Sequence, residues 1–254
     1  MIYDIQKAST LKRISAYIFD VILLSILAVG IAFVLSATLN YDDIVAERET
    51  LIVQYEEKYN VDFDISYEDY EKLSEEDKLN FDAAYEEFST DPSASNKDIL
   101  LFNLTIIITS FSLLIAYLVI DVIVPLKFKN GQTLGKKIFG IAVMRTDGVR
   151  LTTLQLVVRT VLGKYTIETM LPIFLIFMFF VNFMPLFCIA GILLIILLQL
   201  VFIATTRMRL AIHDAMSGTV CVDLASQLIF NTQDELLEYK KKVHAELANS
   251  AEYK

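Results

Sequence analysis

The chain has 254 residues, 55% of them apolar, and a formal net charge of −9, a composition that agrees with a membrane protein and offers no basic footprint for a nucleic-acid partner. Its two cysteines, Cys188 and Cys221, stand at no metal-like spacing. They exclude a disulfide framework and a zinc site, and no motif calls for a cofactor. From Tyr41 to Asp98 there are nineteen acidic and five basic residues, so the acidity belongs to one segment and the remainder of the chain is basic.

The first predicted element, within residues 11–40, follows Lys12 and Arg13. The apolar run Ile14 to Leu39 is longer than the 7 to 15 residues of a signal-peptide core and long enough to span a bilayer. It carries one charge, Asp20. A carboxylate there costs about 2.5 to 3.5 kcal/mol near a helix centre, so it is a functional candidate by default. Residues 41–98 read as a helical acidic insertion, with Ser66 and Ser74 as N-caps, each followed three residues on by an aspartate. Asp62, Asp64 and Ser66 resemble a calcium loop only briefly, because Tyr67 replaces the required glycine; a solvated acidic face is expected and no metal site. Pro92 to Asn96 read as a polar linker.

Residues 99–124 form the second predicted span, ending at Pro125. Asn103, Ser110, Tyr117 and Asp121 draw a polar stripe along it, either as interhelical hydrogen-bonding glue or as an ion pathway. Arg13 leans away from Asp20 on their common helix, so Asp20 is expected to look to another helix. Asp121, predicted at the same depth, would raise its proton affinity, the chemistry of a proton or cation relay.

Residues 125–166 hold Lys127, Lys129, Lys136, Lys137, Arg145, Arg150, Arg159 and Lys164 against Asp147, which places this loop in the cytoplasm. A short β-hairpin is predicted with Ile138 to Met144 paired through Asp147-Gly148 to Val149 to Leu151. An interfacial amphipathic helix over Thr153 to Leu162 follows, with Arg159 and Lys164 toward lipid phosphates. Gly131 to Lys137 imitates a phosphate loop but is a residue short and lacks the hydroxyl after Lys136. Residues 167–206 are too long for one span, and Asn182 and Pro185 divide them into a transmembrane hairpin. Residues 207–254 are a cytoplasmic C-terminal segment with a helix over Asp234 to Leu247. The fold class is therefore an all-α polytopic membrane protein: four transmembrane helices, a helical acidic extracytoplasmic insertion, a short cytoplasmic β-hairpin, and both termini cytoplasmic.

Taken together, Arg13-Ile14-Ser15-Ala16 leading to Asp20, the run Gly131, Thr133, Gly135 and Lys136, then Asp147-Gly148, Arg159, and His213-Asp214 with Gly218-Thr219 resemble the RDD family of bacterial membrane proteins. The resemblance covers nearly all of Leu11 to Leu224 except the acidic insertion. It implies residence in the bacterial cytoplasmic membrane and an Arg/Asp/Asp set carried over to Arg13, Asp20 and either Asp214 or Asp121. It also implies transport of an undefined ligand, with cation/proton exchange attributed to some members. Partners expected on this reading are membrane lipid, a small cation with a proton, and further copies of the chain in a homo-oligomer enclosing the thin pathway. The alternative is a non-transporting assembly protein whose Arg/Asp network is structural. No paired catalytic constellation points to an enzyme.

Overall fold

A computed structural model describes residues 5–128 and 130–252, so Lys129 of the basic loop lies outside the described residues. The chain forms two compact units, one made of the residues up to Ala28 with Leu113 onward, the other of Val29–Ser112. Among the described residues, four helices are long and apolar enough to cross a membrane: Thr10–Thr38, Pro92–Phe128, Thr153–Phe180 and Pro185–Thr205. In chain order the helices are α1 (Thr10–Thr38), α2 (Tyr41–Tyr59), α3 (Tyr67–Glu71), α4 (Glu75–Thr90), α5 (Pro92–Phe128), α6 (Leu134–Ile138), α7 (Thr153–Phe180), α8 (Pro185–Thr205), α9 (Ile212–Ser217) and α10 (Gln233–Glu252). Two strands, β1 (Ile141–Arg145) and β2 (Thr219–Asp223), complete the larger unit.

In the larger unit Ser9 opens α1, its Oγ accepting from Lys12 N at 3.3 Å. Ala16, Asp20, Leu24 and Ala28 are buried at four-residue spacing, while Ile18, Ile22 and Ile26 are exposed, the one-sided burial of a packed helix. Pro125 does not end α5. Lacking an N–H, it cannot bond the Asp121 carbonyl one turn back; that oxygen accepts from Thr160 Oγ1 of α7 at 3.2 Å, and the helix widens to a π-turn over Val119–Ile123.

Two expectations about the basic loop are corrected. The interfacial helix over Thr153 to Leu162 is not separate: it is the first part of α7, opened by a capping box between Thr152 and Gln155 and continuous to Phe180 through a π-helical stretch, Val158–Met170. Gly163 lies within it, at the position where α9 packs directly on the helix. The sheet also differs. Asp147-Gly148 does turn the chain, with Arg145 N on Val149 O at 2.9 Å, but only the bridge Met144↔Arg150 follows before Thr152 starts α7. The full-length partner of β1 is β2, antiparallel, from Ile141↔Asp223 to Arg145↔Thr219. Both faces are covered. Ile141, Val143 and Cys221 pack with Ala8 and Ala16 on one side, and Ala142, Met144, Val220 and Val222 form the other cluster.

The hairpin of α7 and α8 turns where expected: Asn182 and Met184 adopt positive φ of 55° and 48°, and Pro185 starts α8 at a position that needs no N–H. In the smaller unit Ser66 and Ser74 cap α3 and α4 as read from sequence, accepting from Asp69 N and Asp77 N. Phe63 packs edge-on against Phe81, and Tyr55 against Phe88. The supposed linker Pro92 to Asn96 is the first turn of α5, where Asp91 accepts from Ser93 N at 2.8 Å and Pro92 supplies the preset φ.

Candidate functional site

Asp20 meets the Gly131 to Lys137 segment. Gly131, at φ +61°, turns the chain where a Cβ would lie 2.9 Å from the Val143 carbonyl. Thr133 then caps α6, its Oγ1 accepting from Lys136 N at 3.3 Å while its hydroxyl donates to Asp20 Oδ2. Gly135 N donates to Asp20 Oδ1 at 2.8 Å. No side chain fits at Gly135: a Cβ would collide with the Ala16 carbonyl and stand 2.9 Å from Asp20 Oδ1. The segment that imitates a phosphate loop is a carboxylate receptor whose guest is Asp20. This corrects the expectation that Asp20 pairs with Asp121 across two spans. Thr133→Val removes a helix cap and a buried donor together, and each costs about 1 to 2 kcal/mol. The variant is expected to lose about 2 to 3 kcal/mol in detergent unfolding; a loss below 0.5 would show that the receptor does not hold α1.

Asp121 has a cation of its own. Lys164 Nζ of α7 bonds Asp121 Oδ1, and both side chains are buried. Lys164 and Arg159 therefore do not face lipid phosphates, because the π-helical stretch gives residues five apart a common side, and both turn inward. Tyr117, on the same helix as Asp121, hydrogen-bonds Thr169 Oγ1 at 2.8 Å. The predicted polar stripe is thus split. Tyr117 and Asp121 join this centre, whereas Asn103 and Ser110 belong to the other unit.

The third cluster surrounds Asp214 in α9, which is fully buried. Arg159 Nε and Nη2 reach Asp214 Oδ1 at 3.0 and 2.8 Å, and Thr219 Oγ1 donates to the same oxygen at 3.1 Å. Arg13 Nη2 stands 3.6 Å from Oδ2 and His213 Nε2 3.7 Å from it. Arg13 also donates to the Arg209 carbonyl at 2.7 Å. Burial works against the Asp214 charge, but Arg159, His213 and Arg13 overcome it and hold its carboxyl well below the usual carboxylate range. Neighbouring His213 is pushed down, by burial first and by Arg159, although Asp214 and Glu168 act in the opposite sense. His213 Nδ1 lies 2.8 Å from Glu168 Oε2. Gly218, at φ +65°, ends α9 and leads into Thr219.

These clusters line one cavity of about 300 Å³, walled by parts of α1, α6, α7, α8, α9 and both strands, at the small end of the ligand-pocket range. Sequence reasoning missed Glu168 and Thr160. Glu168 carried a signal, an acid just inside the third apolar block. Thr160 carried none, since its partner is a backbone oxygen freed by a proline in another helix. The sequence model of the RDD family matches residues 7–218. The chain belongs to the RDD family. The RDD match takes in Arg13, Asp20, Asp121, the carboxylate receptor, Arg159 and Asp214, and stops at the glycine before β2. No curated protein and no solved structure gives a match to the chain.

Proposed function

We propose that this RDD protein is a small proton-coupled carrier of the bacterial cytoplasmic membrane, with both termini and the basic loop in the cytoplasm, the acidic insertion of residues 41–98 outside, and lipid around the four spans. The observation that carries this reading is the cavity of about 300 Å³ in which buried ionisable groups from separate helices converge, because intramembrane ionisable residues mark substrate and proton pathways. Arg13, Asp20 and Asp214 form the family's Arg/Asp set on this reading. Asp20 acts as a latch rather than as the coupled-ion site, since its two oxygens already have donors in Thr133 and Gly135. Proton movement falls to His213 and Glu168, whose side chains meet at the cavity wall. Cation/proton exchange is one form this coupling takes, and a homo-oligomer would enclose the path around each copy.

The test is solute-dependent dissipation of an imposed pH gradient in liposomes, using a panel of cations and anions. The wild type should dissipate the gradient with at least one solute, and Glu168→Gln should lower the rate at least tenfold at equal folded protein. If no solute moves protons, the carrier fails. The second reading then gains: a non-transporting assembly protein, favoured by the full hydrogen bonding of Asp214 Oδ1, which predicts a stoichiometric crosslinked partner in cells.

A further inference from the structure

Arg13, Lys136, Arg159 and Lys164 stand around the cavity with the carboxylates Asp20, Glu168 and Asp214, and with Asp121 behind Lys164, while Arg209 adds a further cation at the exposed rim. Most of these groups are engaged: Arg159 with Asp214, Lys164 with Asp121, Glu168 with His213. Lys136 is the exception. Its side chain is only 10% exposed, and its closest carboxylate oxygen, Asp20 Oδ2, is 3.9 Å away. The acceptor within hydrogen-bond reach is Thr133 Oγ1 at 3.3 Å, which already accepts from Lys136 N and donates to Asp20. An ammonium has three donors, and among the described residues the partners of Lys136 Nζ are the Thr133 hydroxyl and a long ion pair with Asp20, so this buried cation stands on the cavity wall with donors to spare. Burying such a group costs several kcal/mol unless an anion compensates.

Thr10, Gln199 and His213 add polar atoms to the wall, and part of the remainder is apolar. Ile14 and Tyr17 of α1 and Ile203 of α8 line the same space, and Arg209 joins the two helix ends by donating to Thr10 Oγ1 at 3.1 Å. We infer that the cavity binds an oxyanion carried on a small apolar body, with Lys136 as the principal ligand of the charged end and the α1 and α8 side chains around the apolar end. The inference rests on the cavity being the binding chamber of the proposed carrier, and it names the substrate class. Such a molecule comes either from solution, as a small organic acid, or from the bilayer, as an anionic lipid offering its headgroup. The oxyanion chemistry is the same.

Affinity should follow the charge on Lys136. Burial, then Lys164 and Arg159 of α7, bring its pKa down to about 8, against the pull of Asp121 of α5 and Asp20 of α1. A ligand whose own charge is fixed should therefore bind about tenfold more weakly at pH 9 than at pH 7.

The experiment titrates 1-hexanesulfonate, ionised throughout that range, into the full chain in phosphatidylcholine nanodiscs by calorimetry, with 1-hexanol as the uncharged control. Binding is expected for the sulfonate, with Lys136→Arg within threefold of wild type, Lys136→Met at least tenfold weaker, and hexanol not bound above the level of empty discs. Equal binding by Lys136→Met and wild type, equal binding of hexanol and sulfonate, or no binding by the wild type in either lipid would each overturn the inference. Should Lys136→Met not fold, the pH profile and the hexanol control still decide. Adding phosphatidylglycerol distinguishes the sources: displacement of the sulfonate in wild type marks a lipid ligand, and unchanged sulfonate binding marks a soluble acid. Binding with no flux of any solute sinks the carrier and leaves this site standing.

Discussion

Asp214→Asn should cost about 3 to 5 kcal/mol, because it leaves the buried Arg159 guanidinium without its carboxylate. The loss should appear as a drop in folded protein in the membrane fraction and an earlier unfolding midpoint in detergent. Arg159→Met alone should be as harmful, since Asp214 is fully buried. The double variant Arg159→Met with Asp214→Leu should recover much of the loss, as replacing both partners of a buried pair often does. Additive losses would mean that the two residues act independently. The pH dependence has a definite sign. Asp214's folded-state pKa is depressed, so its stabilisation is fully present above its unfolded value of about 3.9 and is lost as pH falls toward the folded value. Acid unfolding of the wild type should therefore contain a component below about pH 4 that Asp214→Asn lacks.

Gly163→Ala should be nearly as severe. A Cβ at that position would stand 2.5 Å from His213 Cβ and 2.7 Å from His213 Cα. Backbone is involved, so no rotamer change relieves the clash and α9 must move off α7. Overpacking of this kind costs about 1 to 3 kcal/mol, and the upper end is expected here. Because α9 carries Asp214 and His213, the variant should also disturb the cavity, read as lost sulfonate binding at equal folded protein. Gly30→Ala is the control: nothing lies within 4 Å of its Cβ position, and the change should be neutral or slightly stabilising. Equal effects at the two glycines would refute the close approach of α7 and α9.

Much of this architecture is written locally. The spans follow from length and hydropathy, the hairpin break from Asn182 and Pro185, and the caps from Ser66 and Ser74, because each depends on neighbours within a turn or two. Three features are not local. The β1–β2 pairing joins Ile141 to Asp223, and no pattern in Ile141–Arg145 says which distant segment it will meet. The π-helical stretch in α7 defeats a 3.6-residue period, and with it went the orientation of Arg159 and Lys164. Asp20 stood out as a buried charge, and Thr133 and Gly135 as family residues, yet nothing in either stretch announced that one is the receptor of the other. Asp121 was legible as an anomaly, but its partner Lys164 was read as a surface charge, because a basic loop is usually wet.

The separation of those partners bears on how the protein is made. Asp20 precedes Thr133 by 113 residues and Gly135 by 115. At synthesis rates of about 5 to 20 residues per second, the receptor follows its carboxylate by roughly 6 to 23 s, and Asp214 follows Arg13 by roughly 10 to 40 s. The first helix thus enters the bilayer with a charge that the nascent chain cannot yet answer. Until the segment holding Thr133 and Gly135 has been made and has docked, the first helix must accommodate Asp20 without its own receptor.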